Sequence, residues 1–392
     1  MGQDRLQLSQ LSTQGFRNLS SDPVSFRTGV TLITGENAQG KTNLLEAVAL
    51  VCGQRSFRGA SLPAMASDGE QFRIAATVER AAGSERVALV WSREEGRSFF
   101  RGEKAASFRE ISGICPAVFL SPEHRELLDG SPSVRRRFVD RLVLGWRPAA
   151  GDDQARYALA LRERNALLLR LRQGHAHAVV EGELEAWTEE LCVAGAALRR
   201  HRRAALAIWE GEFAQLARQA GPEYAAIETR YACASPGAGD PENAGEADEI
   251  ELLRRACERV RSLERRRGYS MAGPHRDDLL WIRRGKPLAS QASAGEALRT
   301  VALAKLAEWS AVAKAGGEPP LFAADDFDAG LSEAWVEEFW DALPREATIL
   351  LTTTTAPAQW ARRAGEILEV SRGSVTARTL RPRQPLLRAV EA

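Results

Sequence analysis

Several absences bound this chain of 392 residues. No stretch approaches the roughly 18–20 consecutive apolar residues that cross a bilayer. The first residues carry no signal-peptide apolar core, so the expectation is a soluble, cytoplasmic protein with no membrane contact. Cysteine is sparse: Cys52, Cys115, Cys192, Cys233 and Cys257 stand apart without a Cys-x-x-Cys pair. That pattern reads as reduced thiols and argues against a zinc site or a disulfide framework. Net charge is nearly absent as well, 53 Lys+Arg against 52 Asp+Glu leaving +1, so any polyanion must bind through a local patch. No internal repeat is visible. What remains is an ordinary globular composition, 44% hydrophobic and 27% charged, long enough for about two or three domains.

Within it lies one phrase of high specificity, Gly35-Glu36-Asn37-Ala38-Gln39-Gly40-Lys41-Thr42, a complete G-x-x-x-x-G-K-[ST] loop. An apolar run at 30–34 precedes it and a helical pattern at 43–50 follows, the strand–loop–helix context the motif requires. The glycines let backbone N–H groups curl around an anion, and the helix adds its positive N-terminal end. In such a loop Lys41 reaches the β/γ-phosphates of ATP, and the Thr42 hydroxyl joins Mg²⁺. Glu36, Asn37, Ala38, Gln39 and Asn43 complete the expected cradle.

Two downstream phrases complement the loop. Leu321-Phe322-Ala323-Ala324-Asp325-Asp326 is an apolar strand ending in two carboxylates. In P-loop ATPases such a strand lies beside the loop and holds Mg²⁺ through its first acid, here Asp325. Asp326 is then placed to orient or deprotonate an attacking water. A strand ending in a polar turn fits the same residues. Ser293-Ala294-Gly295-Glu296-Ala297-Leu298-Arg299 opens a helix. It reads as a capping box, Ser293 with Glu296 three residues on. It also resembles the S-G-G-[QE]-x-x-R signature of ATP-binding-cassette ATPases, with Ala294 in place of a glycine. In that family this helix start caps the γ-phosphate held by the other protomer, so Ser293, Gly295 and Glu296 are candidate contacts across a two-fold dimer.

Between Lys41 and Ser293 lie about 250 residues, many with helical spacing of Leu, Ala, Arg and Glu at 157–171 and 184–216. Trp187, Leu191, Ala194 and Leu198 fall on one stripe, a packing face. A polar Pro/Gly-rich loop is expected over 234–248 and a further helix over about 249–267. Alternating strands and helices on both sides of this stretch predict one α/β domain interrupted by an all-helical arm; with the resemblance of the Ser293 phrase to the ATP-binding-cassette signature, that implies a P-loop ATPase head of ABC type built from N- and C-terminal parts. Its boundaries are 1–130 and 268–385 for the head, 131–267 for the arm and 386–392 for a tail.

Local phrases narrow the resemblance. Gly15-Phe16-Arg17-Asn18-Leu19, Gly35 to Glu46, Leu120-Ser121-Pro122-Glu123 with Arg135-Arg136-Arg137-Phe138-Val139-Asp140, and Gly273-Pro274-His275-Arg276-Asp277-Asp278 are similar to segments of the bacterial RecF recombination-mediator family. Tyr157 with Arg164-Asn165 and Leu167-Leu168 is similar to the opening helix of that family's arm. The resemblance implies an ATP-dependent DNA-binding ATPase that dimerises on ATP and hydrolyses it slowly as a switch. It further implies binding to gapped or single-strand/double-strand junction DNA, and partnership with RecO and RecR in loading recombinase. The chain departs from the family where Ala329-Gly330-Leu331-Ser332 replaces an S-E-L-D turn, and where Glu296 stands for a common Gln. Thr352 to Thr355 occupy the place of a transporter's switch histidine, as in RecF proteins. The rival readings are a non-hydrolysing DNA clamp and a transporter motor.

Two features stay open at this level. The phrase around His275 and Arg276 fits either an architectural turn or a neighbour of the nucleotide. The basic runs Arg135 to Arg137, Arg199 to Arg203 and Arg265 to Arg267 fit either a solvated face or a patch that tracks phosphates.

Overall fold

Burial of the P-loop strand on both faces dictates the first half of the architecture. The computed structural model describes residues 6–174, 178–233, 246–316, 318–344 and 347–378. Most of the loop expected over 234–248, and the 386–392 tail, lie outside these residues, while 246–248 already belong to a helix. The chain divides into two compact units, Met1–Ser121 with Pro320–Ala392, and Pro122–Pro319. The second unit therefore starts before, and ends well after, the arm expected over 131–267.

In the first unit a six-stranded antiparallel sheet runs in the order Val24–Ser25, Gln7–Gln14, Gln71–Arg80, Gly83–Ser92, Gly96–Arg101 and Lys104–Ala106. A second sheet runs Ser374–Ala377, Glu366–Ser371, Val30–Thr34, Ile349–Thr353, Leu321–Ala324 and Ala117–Leu120. It is parallel except at the Ser374–Ala377 edge. The strand that ends at Asp325 is not the sheet neighbour of the P-loop strand, because Ile349–Thr353 pairs with both and sits between them. All five of its residues are buried, and such a run is best satisfied mid-sheet with both faces covered. The helix Lys41–Val51 places Leu44, Leu45, Val48 and Leu50 in one core shared with Leu8, Ile74 and Leu89 of the antiparallel sheet and Ile33 and Leu350 of the parallel one.

The second unit carries the long helices Pro132–Trp146, Gly151–Arg172, Ala178–Ala220, Glu246–Arg267 and Ala294–Gly316. The insert is not all-helical: Ile227–Ala232 pairs antiparallel with Asp278–Arg283, which also pairs with Lys286–Pro287. Leu191, Ala194 and Leu198, with Trp187 against them, pack on Leu253 and Ala256 as the helical stripe implies.

Buried ion pairs organise this unit. Arg199, with 0% exposure, donates to both oxygens of Asp277 at 2.8 and 2.7 Å and to Glu249 at 2.9 Å. The Tyr231 hydroxyl donates to Asp277 at 2.7 Å. Arg202 forks onto Asp140 and reaches the Pro274 carbonyl, Arg203 donates to Glu249, and Arg135 forks onto Asp278. These arginines of the first two basic runs are thus spent on internal carboxylates, which removes them from an outward phosphate-tracking patch. The phrase containing His275 is a packing corner of the same unit. His275 Nε2 donates to the Ser270 carbonyl at 3.1 Å, which leaves Nδ1 to accept from the Tyr157 hydroxyl at 2.7 Å. Burial holds the His275 imidazole down at about 4, so the neutral tautomer required by these bonds is the stable one.

Two outcomes follow for stability. Arg199→Ala takes the bidentate guanidinium from buried Asp277 and leaves Glu249 with Arg203 alone, and should cost about 3–5 kcal/mol, read as a lower denaturation midpoint. Because His275 is depressed in the fold, the unfolded chain binds its proton first. Stability should therefore fall as pH drops from about 6.5 towards 4, by at most about 3 kcal/mol from this group. Thermal melts of wild type and His275→Gln across that window should diverge, the variant giving the flatter profile.

Candidate nucleotide site

The loop geometry begins at Gly35, whose φ of +151° and 2.3 Å approach of an added Cβ to the Val370 carbonyl oxygen exclude any side chain. Gly40 caps the helix Lys41–Val51 with φ +120°. Between them Ala38 adopts φ +63°, so the backbone curls into a concave N–H-lined turn. Lys41 is nearly buried, and its Nζ donates to the Gly35 and Glu36 carbonyls at 2.8 and 3.0 Å. Its ammonium thus already spans the loop that a phosphate would enter.

Residues with no P-loop signature brace the loop. Asn18 donates to the Gln39 carbonyl at 3.2 Å and accepts from Asn43 at 2.8 Å. From the other side, the Gly373 N–H donates to the Gln39 carbonyl at 2.9 Å, and the Arg372 N–H donates to the Gln39 side chain at 2.6 Å. Gly373, at φ +81°, comes so near that a Cβ would lie 1.7 Å from the Asn18 carbonyl oxygen. Beneath the helix, the Arg17 guanidinium pairs at 2.8 Å with buried Glu46, which also accepts from Ser56. The only sequence hint of these braces is the Phe16-Arg17-Asn18 phrase; the Arg372-Gly373 turn has none.

The carboxylates meet the loop through hydroxyls. Thr42 Oγ1 donates to Asp325 Oδ1 at 3.1 Å, and Thr352 Oγ1 donates to the same oxygen at 2.7 Å. The Thr352 hydroxyl also accepts the Asp326 N–H at 2.8 Å, fixing a residue whose φ is +44°. One buried threonine from the intervening strand therefore sets both acids, a role that comparison with a switch histidine does not suggest. Thr42 and Asp325 present hard oxygen donors side by side, the kind of partial set that Mg²⁺ accepts when phosphate and water supply the rest. Asp328 accepts from Thr353 at 2.9 Å, and Ser332 sits at the N-cap of Glu333–Ala342.

Lys41, Thr42, Asn43, Asp325 and Asp326 thus gather in the first unit, together with the loop from Gly35 to Gly40. Ser293, Gly295 and Glu296 belong to the second. There the Glu296 N–H donates to Ser293 Oγ at 3.2 Å, and the Ser293 N–H donates to Glu296 at 2.8 Å, a reciprocal capping box. The bond from the Ser293 backbone, then Arg283 at 3.0 Å, hold the Glu296 carboxyl below its ordinary range, and it stays anionic.

Residues 10–112 match the family described as an AAA domain. The chain is 32% identical over 353 residues to the DNA replication and repair protein RecF of Heliobacterium modesticaldum, covering 89% of this chain and 92% of that protein. A solved structure of the recombination mediator protein RecF with ATPrS in the RecFOR pathway is similar with TM-score 0.85 and 25% identity, over 96% of this chain and 99% of that one. The Smc head domain of Pyrococcus furiosus shares the fold alone, with TM-score 0.53 and 15% identity over 96% and 97% of the two chains. The architecture is that of a P-loop ATPase head of ABC type, assembled from both ends of the chain around a largely helical insertion.

Thr352→Val keeps the shape and removes the hydroxyl bridge. ATP turnover should fall about 10–100-fold, the worth of a hydrogen bond to a charged group. Nucleotide affinity, which rests on the loop, should stay within about threefold. Equal turnover in variant and wild type would show that the bridge is dispensable.

Proposed function

This chain belongs to the RecF family of DNA replication and repair proteins, and we propose that it acts as an ATP-operated DNA-binding switch of recombinational repair in the cytoplasm. The observation that carries this reading is the Thr42–Asp325–Thr352 hydroxyl–carboxylate chain directly behind a complete P-loop. The RecF structure described with ATPrS supports ATP as the nucleotide. The loop N–H groups bind the phosphates, and Lys41 exchanges the Gly35 and Glu36 carbonyls for phosphate oxygens. Thr42 and Asp325 hold Mg²⁺, which when bound offsets phosphate charge and acts as a Lewis acid. Asp326, set by Thr352, orients the attacking water and takes its proton.

The site becomes whole when the Ser293 helix start of a second copy caps the terminal phosphate. Ser293 and Gly295 supply hydroxyl and N–H contacts, and Arg283 offsets the charge that Glu296 brings. ATP thus joins two protomers, and slow hydrolysis releases them. The dimer holds gapped or single-strand/double-strand junction DNA and works with RecO and RecR in recombinase loading. Phosphate contact falls to outward arginines such as Arg137, Arg266 and Arg267, which are exposed, rather than to the buried Arg199 and Arg202. A second reading, a DNA clamp without turnover, is favoured by Ser332 at the N-cap of Glu333–Ala342, the position where the S-E-L-D turn implied by the family resemblance would place an acid.

Sedimentation with and without ATP and gapped duplex DNA tests the switch. Wild type should shift from monomer to dimer on ATP. Lys41→Ala should remain monomeric, and Ser293→Arg should bind ATP yet stay monomeric. A Ser293→Arg protein that dimerises on ATP would remove the composite site. ATP-driven dimers without hydrolysis in a single turnover would favour the clamp.

A further inference from the structure

Where the helix Glu246–Arg267 ends, the chain turns an aromatic ring outward. Gly268 takes φ +77° and its N–H donates to the Glu264 carbonyl at 2.7 Å, the left-handed stop that glycine makes without a side-chain clash. Just beyond, the backbone is pinned inward. The Ser270 N–H donates to Asn165 Oδ1 at 2.7 Å, the Ser270 hydroxyl accepts from Arg164 at 2.8 Å, and the Met271 N–H donates to Glu264 at 2.6 Å. Tyr269 stands between these anchors and is 39% exposed. Among the described residues, only Tyr269 and Phe108 are exposed aromatics. A single exposed ring needs no explanation by itself. Its surroundings are what set Tyr269 apart.

Cations surround this ring. The Arg276 guanidinium lies over it, 5.5 Å from the ring centre. Arg172 packs on the neighbouring Gly268, where a Cβ would come within 3.2 Å of its side chain. Its guanidinium donates to the Arg267 carbonyl at 3.2 Å, which covers one of the terminal helix carbonyls that would repel an anion. Arg136 reaches the same corner from the helix Pro132–Trp146 and donates to the Asp277 carbonyl at 2.8 Å. Unlike Arg135, Arg199, Arg202 and Arg203, none of Arg172, Arg267 and Arg276 forms an ion pair among the described residues. A ring held on an ordered backbone, backed by a guanidinium and flanked by cations without carboxylate partners, suits an unpaired nucleotide. The π-face takes the base and the charges take the phosphates beside it. A base inside a duplex is already stacked and has no face to offer.

We propose that Tyr269 is a stacking platform for one unpaired base of a DNA single strand, with Arg276 on one face of the ring and the base on the other. Arg172 and Arg267 meet the neighbouring phosphates. This site rests on the DNA-binding reading given above and adds to it the place where unpaired DNA is told from duplex. Every base has a π-face, so the platform reads strandedness and not sequence. The ring carries the contact, and the tyrosine hydroxyl is not required.

The test is fluorescence anisotropy of the full chain with ATP on three DNAs: a gapped duplex, the same duplex without a gap, and a gap whose single-stranded nucleotides are abasic. Tyr269→Ala should lose about 5–150-fold in affinity for the gapped duplex, the worth of one stacked base, and stay within about twofold of wild type on the other two. Tyr269→Phe should keep the wild-type affinity. Iododeoxyuridine placed in the gap should crosslink to Tyr269 in wild type, a readout that needs no variant. Arg267→Gln should shrink the slope of log affinity against log salt by about 0.7. Equal affinity of wild type and Tyr269→Ala for the gapped duplex, with crosslinks elsewhere, overturns the platform and leaves the DNA-binding reading standing. Wild type that binds none of the three DNAs overturns that reading and this site with it. An RNA strand in the gap that binds more tightly than DNA, with the same loss in Tyr269→Ala, assigns the ring to RNA and overturns the proposal.

Discussion

A single carboxylate oxygen, Asp325 Oδ1, joins the parts of the nucleotide site. It accepts from Thr42 on the P-loop helix and from Thr352 on the neighbouring strand, and its own residue follows directly on the strand Leu321–Ala324. A buried carboxylate persists only where donors satisfy it, so the hydroxyls at 42 and 352 are a condition of the fold as well as of the chemistry. The Asp326 backbone depends on this arrangement in turn, because its N–H ends on the Thr352 hydroxyl. Register within the parallel sheet, the left-handed turn after Leu321–Ala324 and the position of both acids therefore form one linked constraint.

The second unit solves a different problem. Its helices carry many arginines, and a near-neutral chain provides almost as many acids to receive them. Arg199 between Asp277 and Glu249, and Arg164 between Glu264, Ser270 and Thr188, convert charge into internal cross-ties. Such pairs add little net stability compared with apolar packing but are costly to break. They specify which helix faces meet.

How much of this could be read beforehand depended on distance along the chain. The loop at 35–42, the apolar strand ending at Asp325 and the helix opening at Ser293 are local patterns, and each has its place in the structure. The order of the parallel strands was not legible, since Ile349–Thr353 carries no mark saying that it lies between two others. Nor was the fate of the arginine runs: Arg199 and Asp277 are 78 positions apart, and periodicity says nothing of partners at that range. Asn18 and Gly373, which hold the loop, both donate to the backbone carbonyl of Gln39, a contact that the P-loop motif does not encode.

The brace at Gln39 also bears on how the chain is made. Both sheet neighbours of Val30–Thr34, at Ile349–Thr353 and Glu366–Ser371, emerge from the ribosome more than three hundred residues after it, as does the Arg372-Gly373 turn. Through almost the whole of translation the P-loop strand has no partner from its own sheet, and its open edges are available for wrong pairing. A protein cut short before residue 366 would carry every letter of the motif yet lack both the strand and the turn that shape it. The loop at 35–42 is thus completed by residues 366–373, and only molecules that contain them can present it.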